Sequence, residues 1–363
     1  MPVVKSEAMV KPDAAQGLSP AIVIRCDGSS AIGMGHVSRC LALAGELRDT
    51  HQCATTFAMR DPESAGVKAV RAAGYPVEIV SASERTDYGD WLRSVLPSQS
   101  ARALVVDVRD ALSRASLEMC GRAGIIVATI DDGSERRLAS DLAFYPPVPQ
   151  VAEMDWSGFT GRRYTGWEWV ILKREFATAE AGEAGGEGRA CDVLVTMGGS
   201  DQAGMTEFTL GALDILDAPL TVRVVVGPAF ARAEKIIDTA ARSRHSVEVS
   251  RAPSSMAPLM RSSRLAVSSF GVSAYELAAC GVPAVHLCLT DDHARSSSVF
   301  DREGIARTVG VFGRITPQQV ANAVLELRGA ADLRKTMGER ARQLVDGRGA
   351  GRVAAAIVER LRP

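Results

Sequence analysis

The stretch Cys26-Asp27-Gly28-Ser29-Ser30-Ala31-Ile32-Gly33-Met34-Gly35-His36-Val37-Ser38-Arg39 decides the fold. Before it runs a short apolar segment, Ala21 to Arg25, which reads as a buried strand. After it, Val37, Leu41, Leu43, Ala44 and Leu47 recur at helical spacing. The stretch is therefore the turn of a strand–turn–helix unit. Gly33 and Gly35 let the backbone bend sharply and leave room for a ligand against the main chain. A helix that starts here offers free N–H groups and a partial positive charge. His36 stands at that point, so the turn suits anionic substrates and proton transfer; the plainer alternative is a capping or structural histidine.

The same unit repeats outward. Cys53–Ala58, Val77–Val80, Ala103–Asp107 and Ile125–Ile130 read as strands, and the segments between them as helices that end at Gly74, Pro97 and Gly124. Continuous apolar strands alternating with helices give an α/β chain with a parallel, doubly wound sheet. The pattern breaks at Tyr145-Pro146-Pro147-Val148-Pro149. It resumes at Cys191–Thr196, followed by strands at Leu220–Val226, Val247–Val249, Leu265–Ser268 and Pro283–Leu287; from there helices run to the C-terminus. The expected organisation is an N-terminal extension over 1–20, a Rossmann-like domain over 21–150, a linker over 151–190 ending in the Gly/Glu/Ala-rich run 181–188, a second domain over 191–347, and a C-terminal helix over 348–363.

Composition narrows the function classes. The 363 residues carry 42 Lys and Arg against 43 Asp and Glu, a net charge of −1, so no broad basic field points to nucleic acid. No apolar run reaches the roughly 18 residues of a membrane span. Residues 1–20 lack the apolar core of a secretory signal. The seven cysteines include no C-x-x-C pair, which fits a cytoplasmic chain with buried thiols rather than disulfides or a zinc site. Whether the chain is a monomer or a homo-oligomer stays open.

Sites in open α/β sheets lie at the carboxyl ends of strands. Three glycine turns occupy such places: Gly33-Met34-Gly35-His36, Gly198-Gly199-Ser200 and Gly271-Val272-Ser273. None is a G-x-G-x-x-G dinucleotide fingerprint or a P-loop. Glu276 lies one turn into the helix after Gly271, either as a surface residue or as an acceptor for ribose hydroxyls. Asp107, Asp131 and Asp132 end strands, where each could bind substrate, assist a base or shape a turn. Asp292-His293 follows a strand; adjacent residues rarely converge on one metal ion, so substrate contact or helix capping is the expectation.

Together, Asp27-Gly28-Ser29, Gly33-Met34-Gly35-His36-Val37-Ser38-Arg39, Asp131-Asp132, Tyr164, Leu172-Lys173-Arg174-Glu175-Phe176, Gly198-Gly199-Ser200-Asp201, Phe270-Gly271-Val272-Ser273-Ala274-Tyr275-Glu276 and Gly281-Val282-Pro283 resemble the PseG/SpsG family of UDP-sugar hydrolases and glycosyltransferases. The resemblance runs from about Ile22 to about Ile305. It implies a GT-B fold, two Rossmann-like domains facing a central cleft, with no metal and no cofactor. It implies His36 as catalytic base, with Gly33, Gly35, Arg39, Asp107, Arg109 and Asp132 around the substrate. It places a UDP-sugar on the second domain, held by Gly198, Gly199, Ser200, Met256, Gly271, Ser273, Glu276, Asp292 and His293. Asp107-Val108-Arg109 stands where the hydrolases carry Asp-His-Tyr, and Asp292-His293 stands near their Asn-Gln. Arg109 instead puts a cation at the cleft that would pair with a sugar carboxylate. The leading expectation is an inverting glycosyltransferase moving a sugar such as glucuronate to a small soluble acceptor such as cytosine, in nucleoside-antibiotic biosynthesis. Hydrolysis of a UDP-sugar, and nucleotide-sugar binding without turnover, are the alternatives.

Overall fold

The computed structural model describes residues 20–29, 31–80, 86–177, 189–201, 203–227, 229–230 and 232–362. The expected N-terminal extension, apart from residue 20, and the run 181–188 lie outside these residues. The first domain is a seven-stranded parallel sheet of β1 (Ala21–Cys26), β2 (Ala54–Met59), β3 (Val77–Ile79), β4 (Ala101–Asp107), β5 (Ile126–Ile130), β6 (Leu142–Tyr145) and β7 (Arg162–Thr165), in the order β3-β2-β1-β4-β5-β6-β7. The second is a six-stranded parallel sheet of β8 (Cys191–Thr196), β9 (Thr221–Val226), β10 (Ser246–Arg251), β11 (Ser263–Ser269), β12 (Ala284–Cys288) and β13 (Ala306–Val311), in the order β10-β9-β8-β11-β12-β13. Each order reverses direction once, between β1 and β4 and between β8 and β11. Loops diverge there and open a crevice. Two such domains give the GT-B arrangement.

Three strands depart from the sequence reading. β6 is four residues long and runs straight into Pro146. β7 (Arg-Arg-Tyr-Thr) is an edge strand with three exposed residues, so it carries no apolar run. It belongs to the first sheet, and the segment 151–190 is therefore not simply a linker. β13 is likewise an edge strand, with Arg307, Thr308 and Gly310 diluting its pattern.

Packing explains why the helices sit where they do. The helix Gly35–Asp49 buries Val37, Cys40, Leu43, Ala44 and Leu47 against the first sheet. The last helix, Gly349–Leu361, buries Val353, Ala354, Ile357 and Leu361 into the same core. Each large aliphatic side chain so buried contributes about 1.5–3 kcal/mol. The chain's last helix thus completes the first domain.

Two crossings link the domains. In the first, Ile171 enters the first core while Val170, Leu172 and Phe176 enter the second. In the second, Val345 belongs to the second core and Ala350 to the first. The crossings touch backbone to backbone: a Cβ on Gly349 would lie 2.0 Å from the Val170 carbonyl oxygen. Only glycine allows that approach.

Candidate functional site

Asp27 and the loop after it leave the carboxyl end of β1 at the first reversal point. Gly33 takes φ +79, and the helix begins at Gly35. No side chain caps that helix at Met34. His36 and Arg39 are three residues apart, hence on one face. The register pairs Cys26 with Asp107, which brings the end of β4 beside them.

Asp107 is 1% exposed, and both its oxygens are engaged. His36 Nδ1 lies 2.6 Å from Oδ1. Arg39 donates to Oδ1 through Nη2 and to Oδ2 through Nε, each at 2.5 Å. Burial works to raise the Asp107 pKa, but the charges of Arg39 and His36 outweigh it and hold the carboxyl well below the usual range. An ionised carboxylate only accepts, so Nδ1 of His36 carries a proton in this hydrogen bond, and Nε2 is the ring nitrogen left outside it. The arrangement fixes the orientation of the imidazole. Arg39 and Asp107, expected around the substrate, line the cleft and also hold His36.

The other strand-end carboxylates divide into held and open. Asp132 accepts from Ser134 N at 2.8 Å, Ser134 Oγ at 2.6 Å and Arg136 Nε at 2.9 Å, so it shapes a turn while also lining the cleft. Asp110 is held by Arg25, Arg136 and Tyr88 at 2.8–2.9 Å. Arg25 is fully buried and also pairs with Asp27. Arg60 also reaches Asp110, at 3.3 Å, which balances three arginines against three aspartates beneath the cleft. The one sequence signal of this cluster was an arginine inside the apolar run of β1. Asp131 is different: it is a non-glycine residue at φ +53, and its side chain is partly exposed. Arg109, whose side chain is 71% exposed, reaches it only at 3.8 Å.

On the second domain, Gly271 precedes the helix Val272–Ala279, which no side chain caps. Its first N–H groups are open to an anion. The turn after β8 differs: Asp201 accepts from Met205 N and Thr206 N at 2.8 and 2.9 Å and so occupies the next helix start. Glu276 is buried, and burial pushes its carboxyl up to about 7 against the opposing pull of Lys173, with Glu175 adding to the rise. Glu175 also accepts from Ser255 Oγ, beside Met256, which packs against the second core.

The two domains meet at the quoted turn. A Cβ on Gly199 would lie 3.2 Å from Met34, and one on Gly35 would lie 3.6 Å from Val272. Next to this contact is a cleft of about 940 Å³, within the range of small-molecule sites. His36, Arg109 and Asp131 line it from the first domain, and Phe270, Gly271, Tyr275, Asp292 and His293 from the second. Gly33, Gly198, Gly199, Ser200, Met256, Ser273 and Glu276 are not on its wall. Burial lowers the His293 pKa. Gln150 closes one side, donating through Nε2 to Asp292 Oδ1 and Ser296 Oγ at 2.8 Å each. Among the described residues no three His, Cys, Asp or Glu side chains converge as a metal site, and no helix is long and apolar enough to cross a membrane.

No family model matches the chain. It is distantly similar to the spore coat polysaccharide biosynthesis protein SpsG of Bacillus subtilis, 22% identical over 338 residues, covering 92% of this chain and 96% of that protein. It is also 24% identical over 275 residues to the uncharacterized protein MJ1062 of Methanocaldococcus jannaschii, covering 73% of this chain and 55% of that longer protein. Among solved structures, MurG of Acinetobacter baumannii superposes with a TM-score of 0.69 at 16% identity, covering 94% of this chain and 99% of that one. Anabaena HepE in complex with UDP-glucose gives 0.58 at 12% identity, covering 94% and 99%. The fold is GT-B.

Proposed function

We propose that the chain is an inverting, metal-independent glycosyltransferase that moves glucuronate from UDP-glucuronate to a small soluble acceptor, cytosine, in nucleoside-antibiotic biosynthesis. One observation carries the reading: an oriented His36–Asp107 pair lines a large cleft opposite the uncapped helix Val272–Ala279. The complex of HepE, a chain of the same fold, with UDP-glucose supports a UDP-sugar as donor.

His36 Nε2 takes the proton from the acceptor nitrogen as that atom attacks the anomeric carbon. The bond from that carbon to the diphosphate oxygen breaks on the opposite face, and UDP leaves with the electron pair. A single displacement inverts the configuration. Asp107 stabilises the imidazolium that forms. N–H groups at Gly271–Ser273 meet the charge growing on the diphosphate. Glu276 takes the ribose hydroxyls, and the exposed Arg109 pairs with the donor's carboxylate.

The test is UDP release from UDP-glucuronate with and without cytosine. Release that depends on cytosine, with a cytosyl-glucuronate product, supports transfer. Release that needs no acceptor makes the chain a hydrolase using the same base on water. Binding of UDP without any turnover makes it a nucleotide-sugar-binding protein.

A further inference from the structure

Five aspartates line the first-domain wall of the cleft: Asp27, Asp107, Asp110, Asp131 and Asp132. Four have both oxygens taken. Asp27 accepts from Arg25 and from Arg60 N. Asp107 is held by His36 and Arg39, Asp110 by three arginines and Tyr88, and Asp132 by Ser134 and Arg136. Among the described residues, Asp131 alone of the five has an open oxygen. Both its cationic neighbours sit on Oδ2 and are distant, Arg39 Nη1 at 3.4 Å and Arg109 Nη2 at 3.8 Å. Among the described residues no hydrogen bond or ion pair reaches Oδ1.

The backbone holds this carboxylate in place. Asp131 adopts φ +53, a region that costs a non-glycine residue energy, and its N–H donates to Phe144 O at 2.8 Å across to β6. Strain at a residue facing a cavity is typical of ligand contacts. The same Arg39 guanidinium lies 3.4 Å from Asp131 Oδ2 through Nη1 and 3.2 Å from His36 Nδ1 through Nη2, so the two side chains share one guanidinium neighbour. Tyr275 and His293 line the same cleft from the second domain. The loose pair with exposed Arg109 is worth little and gives way easily.

We propose that Asp131 is the specificity-determining residue for the acceptor: its Oδ1 accepts a hydrogen bond from an N–H group of the acceptor while His36 takes the proton from the attacking atom. The acceptor class is then a small neutral molecule bearing an amine-type donor; a carbonyl or carboxylate at that position is refused, because its oxygen would face Oδ1 with no proton between them. This rests on the transferase reading above.

The test is calorimetric binding of cytosine and of uracil, with UDP saturating, to the wild-type chain and to Asp131→Asn and Asp131→Gly. The two bases share a ring; at C4 cytosine carries an amine where uracil carries a carbonyl, and N3 is unprotonated in cytosine and an N–H in uracil. Both substitutions tolerate a left-handed φ, so the turn is kept, and melting temperature reports folding. The wild type binds cytosine at least about tenfold more tightly than uracil, the scale of one charge-assisted hydrogen bond, and both variants lose that preference. A preference that survives in both variants overturns the inference, as does a wild type that binds neither base or binds both equally. UDP release from UDP-glucuronate is measured in parallel. Cytosine binding through Asp131 without consumption of UDP-glucuronate breaks the donor reading alone. Transfer with an unchanged preference in the variants breaks this inference alone.

Discussion

Nδ1 of His36 lies 2.6 Å from Oδ1 of Asp107, although 71 residues separate them in the chain. The pair exists because β1 and β4 are neighbours whose strand ends are in register, Cys26 opposite Asp107. It puts a proton on Nδ1, which leaves Nε2 for the base role proposed above. His36→Ala is expected to lower turnover about 10²–10⁴-fold, the usual worth of a general base, with UDP affinity retained. Steady-state kinetics with UDP calorimetry checks this; unchanged turnover would remove His36 from the reaction.

Asp107→Asn is expected to damage both chemistry and fold. The substitution removes the bidentate charge partner of Arg39, whose side chain is 15% exposed, and leaves it only the longer contact to Asp131 at 3.4 Å. Breaking a buried pair on one side costs about 3–5 kcal/mol. The urea midpoint should fall, whereas His36→Ala should move it far less. Equal stability losses in the two variants would contradict the assignment of Asp107 as the shared anchor.

Glu276 predicts a pH signature. Its folded pKa is raised to about 7 from an ordinary 4.5. A raised acid opposes folding in its charged form. The penalty is absent below 4.5, grows as pH rises to 7, and is constant above. Glu276→Gln should therefore raise the melting temperature of the ligand-free chain at pH 8 and leave it unchanged at pH 4. If ribose hydroxyls donate to an ionised Glu276, UDP binding near pH 6 releases a proton that the Gln variant does not release. Calorimetry in buffers of different ionisation enthalpy reads it, and identical proton release by the two proteins would exclude Glu276 from the nucleotide site.

The strand–turn–helix at Cys26–Arg39 was legible because its local signals agree: an apolar run, glycines at the bend and a helical apolar stripe. The two-domain plan was legible for the same reason. β7 and β13 were not, because an edge strand needs no continuous apolar run and Arg162, Arg163 and Arg307 break it. The candidate site was legible residue by residue but not in its division of labour. Asp107, Asp131 and Asp132 look alike in sequence, each at a strand end. Only their partners separate them: Asp107 anchors His36, Asp132 shapes a turn with Ser134, and Asp131 keeps one oxygen open. Those partners come from distant parts of the chain or from loop geometry, which spacing does not encode.

Arg109 bears on the donor. Its side chain is 71% exposed, lines the cleft and has only a long contact to Asp131. Arg109→Leu should lower kcat/KM for UDP-glucuronate by about 10–100-fold while changing UDP-glucose, which lacks the carboxylate, much less. A parallel loss with both donors would sink the uronate reading and leave Arg109 a general contributor to the cleft.

Two glycines of the last helix, two residues apart, should respond with opposite signs. A Cβ on Gly349 would meet the Val170 carbonyl oxygen at 2.0 Å, a backbone atom of the first crossing that cannot step aside. Gly349→Ala must push the crossings apart, loosening Val170 in one core and Ala350 in the other, and should cost more than about 2 kcal/mol. A Cβ on Gly351 would meet only the Glu46 carboxylate, at 3.7 Å, an ordinary contact. Gly351 is inside the helix, where alanine is favoured over glycine by about 0.5–1 kcal/mol, so Gly351→Ala should stabilise. Urea unfolding of both variants decides the matter. If Gly349→Ala is as stable as the wild type, the last helix does not dock against the first crossing as closely as described, and the argument that it completes the first domain fails with it.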